Sequence, residues 1–334
     1  MRRSNRARTL GILAAALVVV AAVGVVGGWG WLAHRPQLPA SIERFFKLPK
    51  PEATAPSPDK PKGCDDTGPP DPDPKRLGAE VSGWPPGFDD PVLHQLMAQY
   101  DTPVLMAGYK TNFDHAIPSQ AQNIALTAQR LAGTVVQPGA VFSQNQRLGP
   151  YTAERGYGEG RMFVGRRVVP SIGGGVCQIA TTLYNAVVAA NLPIVERHNH
   201  SLTVAYVPPG RDATVAYGYL DFKFRNDRSY PLVIWASTED RWLYIGIFGR
   251  EAPPEIEWHH ETLSTSPYPT EVYLTDKLPA GEEKVLAKGL DGITVKSWIT
   301  IGAGDDAVRK EMGIDTYQPS PRVIERGPPA VGDS

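Results

Sequence analysis

Cys177 follows Gly173, Gly174 and Gly175 and precedes Gln178, at the head of a run, VCQIATTLYNAVVAAN, whose apolar residues recur with helical spacing. A cysteine at a helix N-terminus meets unpaired backbone N–H groups and the positive end of the helix dipole, and both stabilise its thiolate. The three glycines let the backbone approach a bound group closely and leave the sulfur open. This setting suits a nucleophile, with Gln178 or a nearby N–H as donor to an oxyanion. The plainer reading is a small buried thiol after a tight turn.

A nucleophilic thiol needs a base, and His198 and His200 flank Asn199 in ERHNHSLTVAY, about twenty residues further on. On an extended segment both rings leave from one face. His200, at the start of the expected strand, is the first choice for base, and His198 is left to pack or to bind substrate. The orienting carboxylate has two candidates. SLTVAYVPPGRDATVAYGYLDFKFRN alternates polar and apolar residues about a Pro-Pro-Gly corner, which predicts a hairpin. In that hairpin Asp212 lies across from Val207, roughly 20 Å along the ladder from His200. Asp221 lands opposite His198 and diagonal to His200, so it ranks first as orienter. Asp212 is then a turn or binding residue.

Arg161, with Arg166 and Arg167 beside it, is a candidate receptor for a substrate carboxylate, although a solvated surface charge is the simpler reading. Cys177, His198 and His200, with Asp221 or water as a fourth ligand, are adequate zinc ligands but lack compact spacing, so no metal is assigned. Nothing in the sequence asks for a cofactor.

Helices and strands must hold these groups. QAQNIALTAQRLAG reads as an amphipathic helix with Ile124, Ala128 and Leu131 on one stripe, stopped at Gly133. A second helix runs from Val176 to about Asn191. PLVIWAS and RWLYIGIFG supply two more strands after the hairpin. Helices followed by adjacent strands predict an α+β domain with a mainly antiparallel sheet.

Around that domain, placed at 94–252, the chain changes character. Residues 1–34 put four arginines ahead of the uncharged stretch Leu10 to Trp31, long enough to cross a hydrocarbon layer of roughly 30 Å. The arginines stay cytoplasmic by the positive-inside rule, so a single-pass anchor leaves the folded parts outside the cell membrane, with a cleaved signal peptide as the competing reading. Residues 35–93 are a proline-rich spacer. Residues 255–302 read as a small all-β module, and 303–334 as a disordered tail. With 334 residues, a net charge of −1 and no basic patch beyond the N-terminus, the chain has no footprint for nucleic acid. Its two cysteines, Cys64 and Cys177, make no disulfide framework, and whether they pair is open.

AQNIALTAQRLAGTVVQPGAVFSQNQRLGPYTAERGYGEG, GGGVCQIATTLYNAVVAANLPIVERHNHS and YVPPGRDATVAYGYLDFKFRN together resemble the VanW family over about residues 108 to 250. One departure is visible: Gln120 stands where the family commonly has an arginine three positions before its asparagine, here Asn123. LPAGEEKVLAKGLDGITVKSW looks like a G5 domain. The resemblance implies an envelope location, peptidoglycan or its precursors as partner, and a role in wall metabolism or the response to glycopeptide antibiotics. It supplies no reaction. The order Cys, His, Asp is similar to that of papain-like and transglutaminase-like thiol enzymes, which suggests a thiol site acting on amide bonds as a hydrolase or acyltransferase. A non-catalytic wall-binding module is the alternative.

Overall fold

The computed structural model describes residues 76–329. The expected membrane anchor, most of the spacer, and Cys64 lie outside the described residues. Among the described residues no helix is long and apolar enough to cross a membrane.

A five-stranded antiparallel sheet forms the centre, in the order β1 (Ala79–Glu80), β2 (Val104–Asn112), β10 (Trp242–Gly249), β9 (Leu232–Glu239), β3 (Thr134–Val136). Side chains alternate across it with period two. Leu232, Ile234, Leu243, Ile245 and Ile247 enter one core with α2 (Pro118–Leu131) and α4 (Val176–Ala189). Val233, Trp235, Tyr244 and Phe248 enter a second core with Phe88 and Leu93, the latter from α1 (Pro91–Tyr100). Burial on both faces is why these two strands read as nearly continuous apolar runs.

Smaller pieces complete the domain. β4 (Val141–Ser143), β8 (Lys223–Arg225) and β7 (Ile194–Glu196) form a three-stranded sheet beside the short helix α3 (Gln144–Leu148). β5 (Glu159–Val164) and β6 (Arg167–Ile172) form a separate hairpin. Beyond Gly249, β11 (Ile256–Ser266), β14 (Gly292–Ile301) and β15 (Val308–Tyr317) make one sheet of the C-terminal module. β12 (Thr270–Leu274), β16 (Arg322–Arg326) and β13 (Glu283–Ala287) make another, with β12 and β16 parallel.

The α+β class and the small all-β module are as expected, and four finer expectations are corrected. The central sheet draws β1, β2 and β3 from before α4 and β9 and β10 from after it, so strands do not simply follow helices. Folded structure begins ahead of Pro91, because Phe88 is fully buried. The polar stretch after Ile301 carries two strands among its described residues, β15 and β16: β15 buries little beyond Asp315 and Tyr317, which left its alternation without an apolar face to reveal it. The hairpin expected after His200 does not form. Residues 197–222 make bends and turns with one isolated bridge, Ala216 to Leu220, because many of their polar groups are taken by α4, by the C-terminal module and by side chains of the segment itself rather than by a strand ladder.

Gly210 shows the same docking. It sits at φ +90°, and a Cβ there would strike Ser297 Oγ of β14. Gly210→Ala is therefore expected to cost roughly 1–3 kcal/mol through backbone strain, before any clash. An unchanged urea midpoint would count against this docking.

Candidate functional site

Gly175 caps α4 with φ 107°, a left-handed conformation that only glycine adopts without strain. Cys177 is the second residue of the helix, and Thr181 and Asn185 follow at intervals of four, on one face. All three grip the irregular segment 211–215. Asn185 Nδ2 donates to Arg211 O at 2.7 Å. Thr181 Oγ1 donates to Ala213 O at 3.0 Å and accepts from Ala213 N at 2.9 Å. Cys177 Sγ lies 3.3 Å from Thr214 Oγ1, 3.4 Å from Val215 O and 3.5 Å from Val215 N. A neutral thiol can donate to that carbonyl, and a thiolate can accept from that N–H.

The segment returns past the histidines in a register that puts Asp212 in reach of His200. Thr214 N donates to His198 O at 2.8 Å. Two residues back, Asp212 Oδ2 accepts from His200 N at 2.7 Å and lies 2.6 Å from His200 Nδ1. Asp212 is 1% exposed and His200 8%. With Nδ1 committed to the carboxylate, Nε2 is the nitrogen left to serve the thiol, and Phe163 of β5 packs edge-on against the ring.

Charge follows from these contacts. Burial raises the Cys177 thiol, but the hydrogen bond and positive charge of His200, with smaller help from Thr214 and Val215, hold it below its ordinary value. Burial lowers His200, yet Asp212 and the thiol outweigh it and hold the imidazole up at about 9. Burial raises the Asp212 carboxyl, while His200, Arg197 and Tyr317 leave it below the usual range. Such mutual stabilisation favours the thiolate–imidazolium form over the neutral pair. A folded-state value above the unfolded one means that His200 contributes stability fully below about pH 6.5, and loses it as pH rises through about 9. The difference in thermal midpoint between the native chain and His200→Gln should shrink over that window; a difference constant from pH 6 to 10 would contradict the pairing.

Residues 119–248, which contain Cys177, His200 and Asp212, match the family model described as VanW like protein. They form a VanW domain. The chain is 42% identical to YoaR of Bacillus subtilis over 142 residues, 42% of this chain and 46% of YoaR. It is 26% identical to the vancomycin B-type resistance protein VanW of Enterococcus faecalis over 163 residues, 47% of this chain and 59% of that protein. The chain thus spans about half the length of the curated relatives it matches. A quarter of the chain is also similar, at 25% identity and a TM-score of 0.17, to the whole of an IgA1 protease G5 domain.

Within the VanW domain the other expected site residues fall elsewhere. Asp221 is no partner of His200: its Oδ2 accepts from Ser143 Oγ at 2.5 Å, and its Oδ1 from Asn145 N at 2.9 Å and Phe222 N at 2.8 Å. It ties the start of α3 to the segment leading into β8. Asp221→Asn should cost about 1–3 kcal/mol by leaving a buried donor unmatched, and should leave the pH profile of Cys177 alkylation in place; a shifted profile would contradict a purely structural role. Gln178 is also unsuited to an oxyanion. Its Nε2 donates to Thr111 Oγ1 and Asn112 O, and its backbone N–H to Gly175 O. His198 pairs at the surface with Glu196. Arg161 donates from Nη1 to His115 O, and from its backbone N–H to Gln120 Oε1. Among the described residues no group of three or more His, Cys, Asp and Glu is arranged for a metal ion.

The glycine loop packs inward. Asn123, fully buried, donates from Nδ2 to both Gly158 O and Gly174 O and accepts from Gly158 N. A Cβ on Gly174 would collide with the backbone of Gly160. Gly173, Gly174 and Gly175 therefore aim Cys177 and join α2, α4 and the β5–β6 hairpin, instead of lining an open cradle. A cleft lined by Glu80, Trp84, Leu105 and Ile256 shares no residue with the thiol site.

Proposed function

We propose that the VanW domain is a thiol enzyme acting on amide bonds of peptidoglycan or its precursors, held outside the cell membrane by the N-terminal segment. The observation that carries this is the bond of His200 Nδ1 to buried Asp212, beside a thiol, Cys177, whose ionisation His200 favours. The name of one relative, the vancomycin B-type resistance protein VanW, connects the domain to vancomycin resistance, and the N-terminal apolar stretch supports the location.

Cys177 thiolate attacks the amide carbonyl carbon, forming a C–S bond and moving the carbonyl electron pair onto oxygen. The N–H groups of Val176 and Gln178 are taken by Gly173 O and Gly175 O, so the N–H of Cys177 itself is the first-turn donor assigned to this oxyanion. As the C–N bond breaks, protonated His200 gives its Nε2 proton to the leaving nitrogen. The product is a thioester. Water or an amine then attacks it, His200 takes the incoming proton, and the C–S bond breaks to restore the thiolate. Water makes the domain a hydrolase, an amine an acyltransferase.

The test is incubation of the purified protein with wall sacculi and soluble wall peptides, reading amide cleavage or exchange by mass spectrometry. Turnover lost in Cys177→Ala is expected. Retention on the wall with no Cys177-dependent product would instead support the non-catalytic, wall-gripping reading.

A further inference from the structure

Asp212 is held on both oxygens, and one of its donors comes from more than a hundred residues away. Oδ2 faces His200. Oδ1 accepts from the Tyr317 hydroxyl at the end of β15, and from Arg197 Nη2 at 3.2 Å. Tyr317 is itself 1% exposed, and its oxygen accepts from Gly210 N at 2.7 Å, so the ring cannot turn away without stranding two groups. Arg197 is aimed by the same strand: Nη1 contacts Asp315 Oδ1 and Oδ2 at 2.6 and 2.7 Å, while Nε donates to Asp212 O at 2.7 Å.

The chain around Tyr317 is pinned on either side. Asn199 Nδ2 donates to Thr316 O, Gln318 N donates to Ser201 O at 2.7 Å, and Arg166 Nε donates to Pro319 O at 2.8 Å. The segment 316–319 thus lies against the histidine stretch and the tip of the β5–β6 hairpin.

We propose that the C-terminal β module completes the thiol site, with Tyr317 as the positioning residue that fixes the Asp212 carboxylate against His200. This rests on the thiol-enzyme reading and extends it: the working unit includes β15 as well as the VanW domain. Without the Tyr317 hydroxyl, Oδ1 keeps only the longer contact to Arg197 Nη2, so the carboxylate can rotate, and each rotation weakens the pull of Asp212 on the imidazole and of the imidazolium on the thiol. Asp315 acts in the same direction. Without it, the Arg197 charge turns wholly to Asp212 and competes with His200.

The test is the pH dependence of Cys177 alkylation by iodoacetamide in the full chain, for the native protein, Tyr317→Phe, Asp212→Asn and the double variant, with thermal midpoints alongside. Tyr317→Phe should move the acid limb of the profile up by about one pH unit, slowing the neutral reaction about tenfold. In the Asp212→Asn background the same change should add nothing, since Tyr317 acts through that carboxylate. A lowered midpoint with an unmoved profile would mean that Tyr317 only packs, and would overturn the proposal. If Tyr317→Phe does not fold, Asp315→Asn takes its place with a shift of the same sign, and an unmoved profile overturns the proposal equally. If Asp212→Asn shifts the profile but Tyr317→Phe does not, only this inference falls. If Asp212→Asn also matches the native chain, the thiol-enzyme reading falls with it.

Discussion

Asp212→Asn is expected to lower turnover by roughly 10³- to 10⁴-fold while leaving the fold in place, the scale seen when the acid of a catalytic triad becomes an amide. Asp212 serves four side-chain and backbone donors with two acceptor oxygens: His200 N and Nδ1 on one, Tyr317 and Arg197 on the other. An amide has one acceptor oxygen and one donor nitrogen. Turned with its nitrogen toward His200, it requires Nδ1 to accept, which leaves the proton on Nε2 and removes the base. Turned the other way, it points N–H groups at a guanidinium and a hydroxyl. Turnover of wall amides by the two proteins, with circular dichroism as the folding control, checks this; near-equal rates would count against Asp212 as orienter.

Arg197→Met is expected to destabilise the protein by roughly 3–5 kcal/mol at neutral pH, the range for removing one partner from a buried ion pair. Arg197 is 10% exposed in its side chain and lies between Asp212 at 1% and Asp315 at 9%. Burial already pushes the Asp315 carboxyl up in spite of Arg197, so without the guanidinium Asp315 loses its ion-pair partner and Asp212 is left to His200 and Tyr317. The sign with pH follows from Asp212. Its folded value is depressed below 3.8, so its contribution is present above that pH and is lost as pH falls through the lower folded value. Arg197→Met removes much of that contribution, so the gap between the two proteins should close on acidification. Urea unfolding at pH 7 and at pH 3.5 measures it, and a gap that widens at the lower pH would contradict the ion-pair account.

Much of this was readable in the sequence where burial and period coincide. α2, α4, β9 and β10 have apolar stripes or runs matched to their cores, and Gly175 before Cys177 marks the helix start. The choice between Asp212 and Asp221 was not readable from alternation alone. A ladder would have placed Asp221 near His200, but the segment after His200 spends its polar groups on α4 and on β15. A signal for this was present in the spacing of Cys177, Thr181 and Asn185, a polar stripe on an otherwise buried helix that needs a polar partner segment. Tyr317 and Asp315 were hidden for a different reason. β15 is exposed along most of its length, so its sequence looks like a polar tail, and its buried positions serve Asp212 and Arg197 rather than an apolar core.

The most direct measurement is the rate of Cys177 alkylation against pH in the native protein, read by mass spectrometry on the Cys177 peptide so that Cys64 does not contribute. A thiolate held by His200 should react at a near-constant rate from well below the ordinary thiol value up to about pH 9, with an acid limb that moves up in His200→Gln. A rate that rises only as an ordinary thiol ionises, or a thiol that stays inert in the folded protein, would contradict the Cys177–His200–Asp212 site.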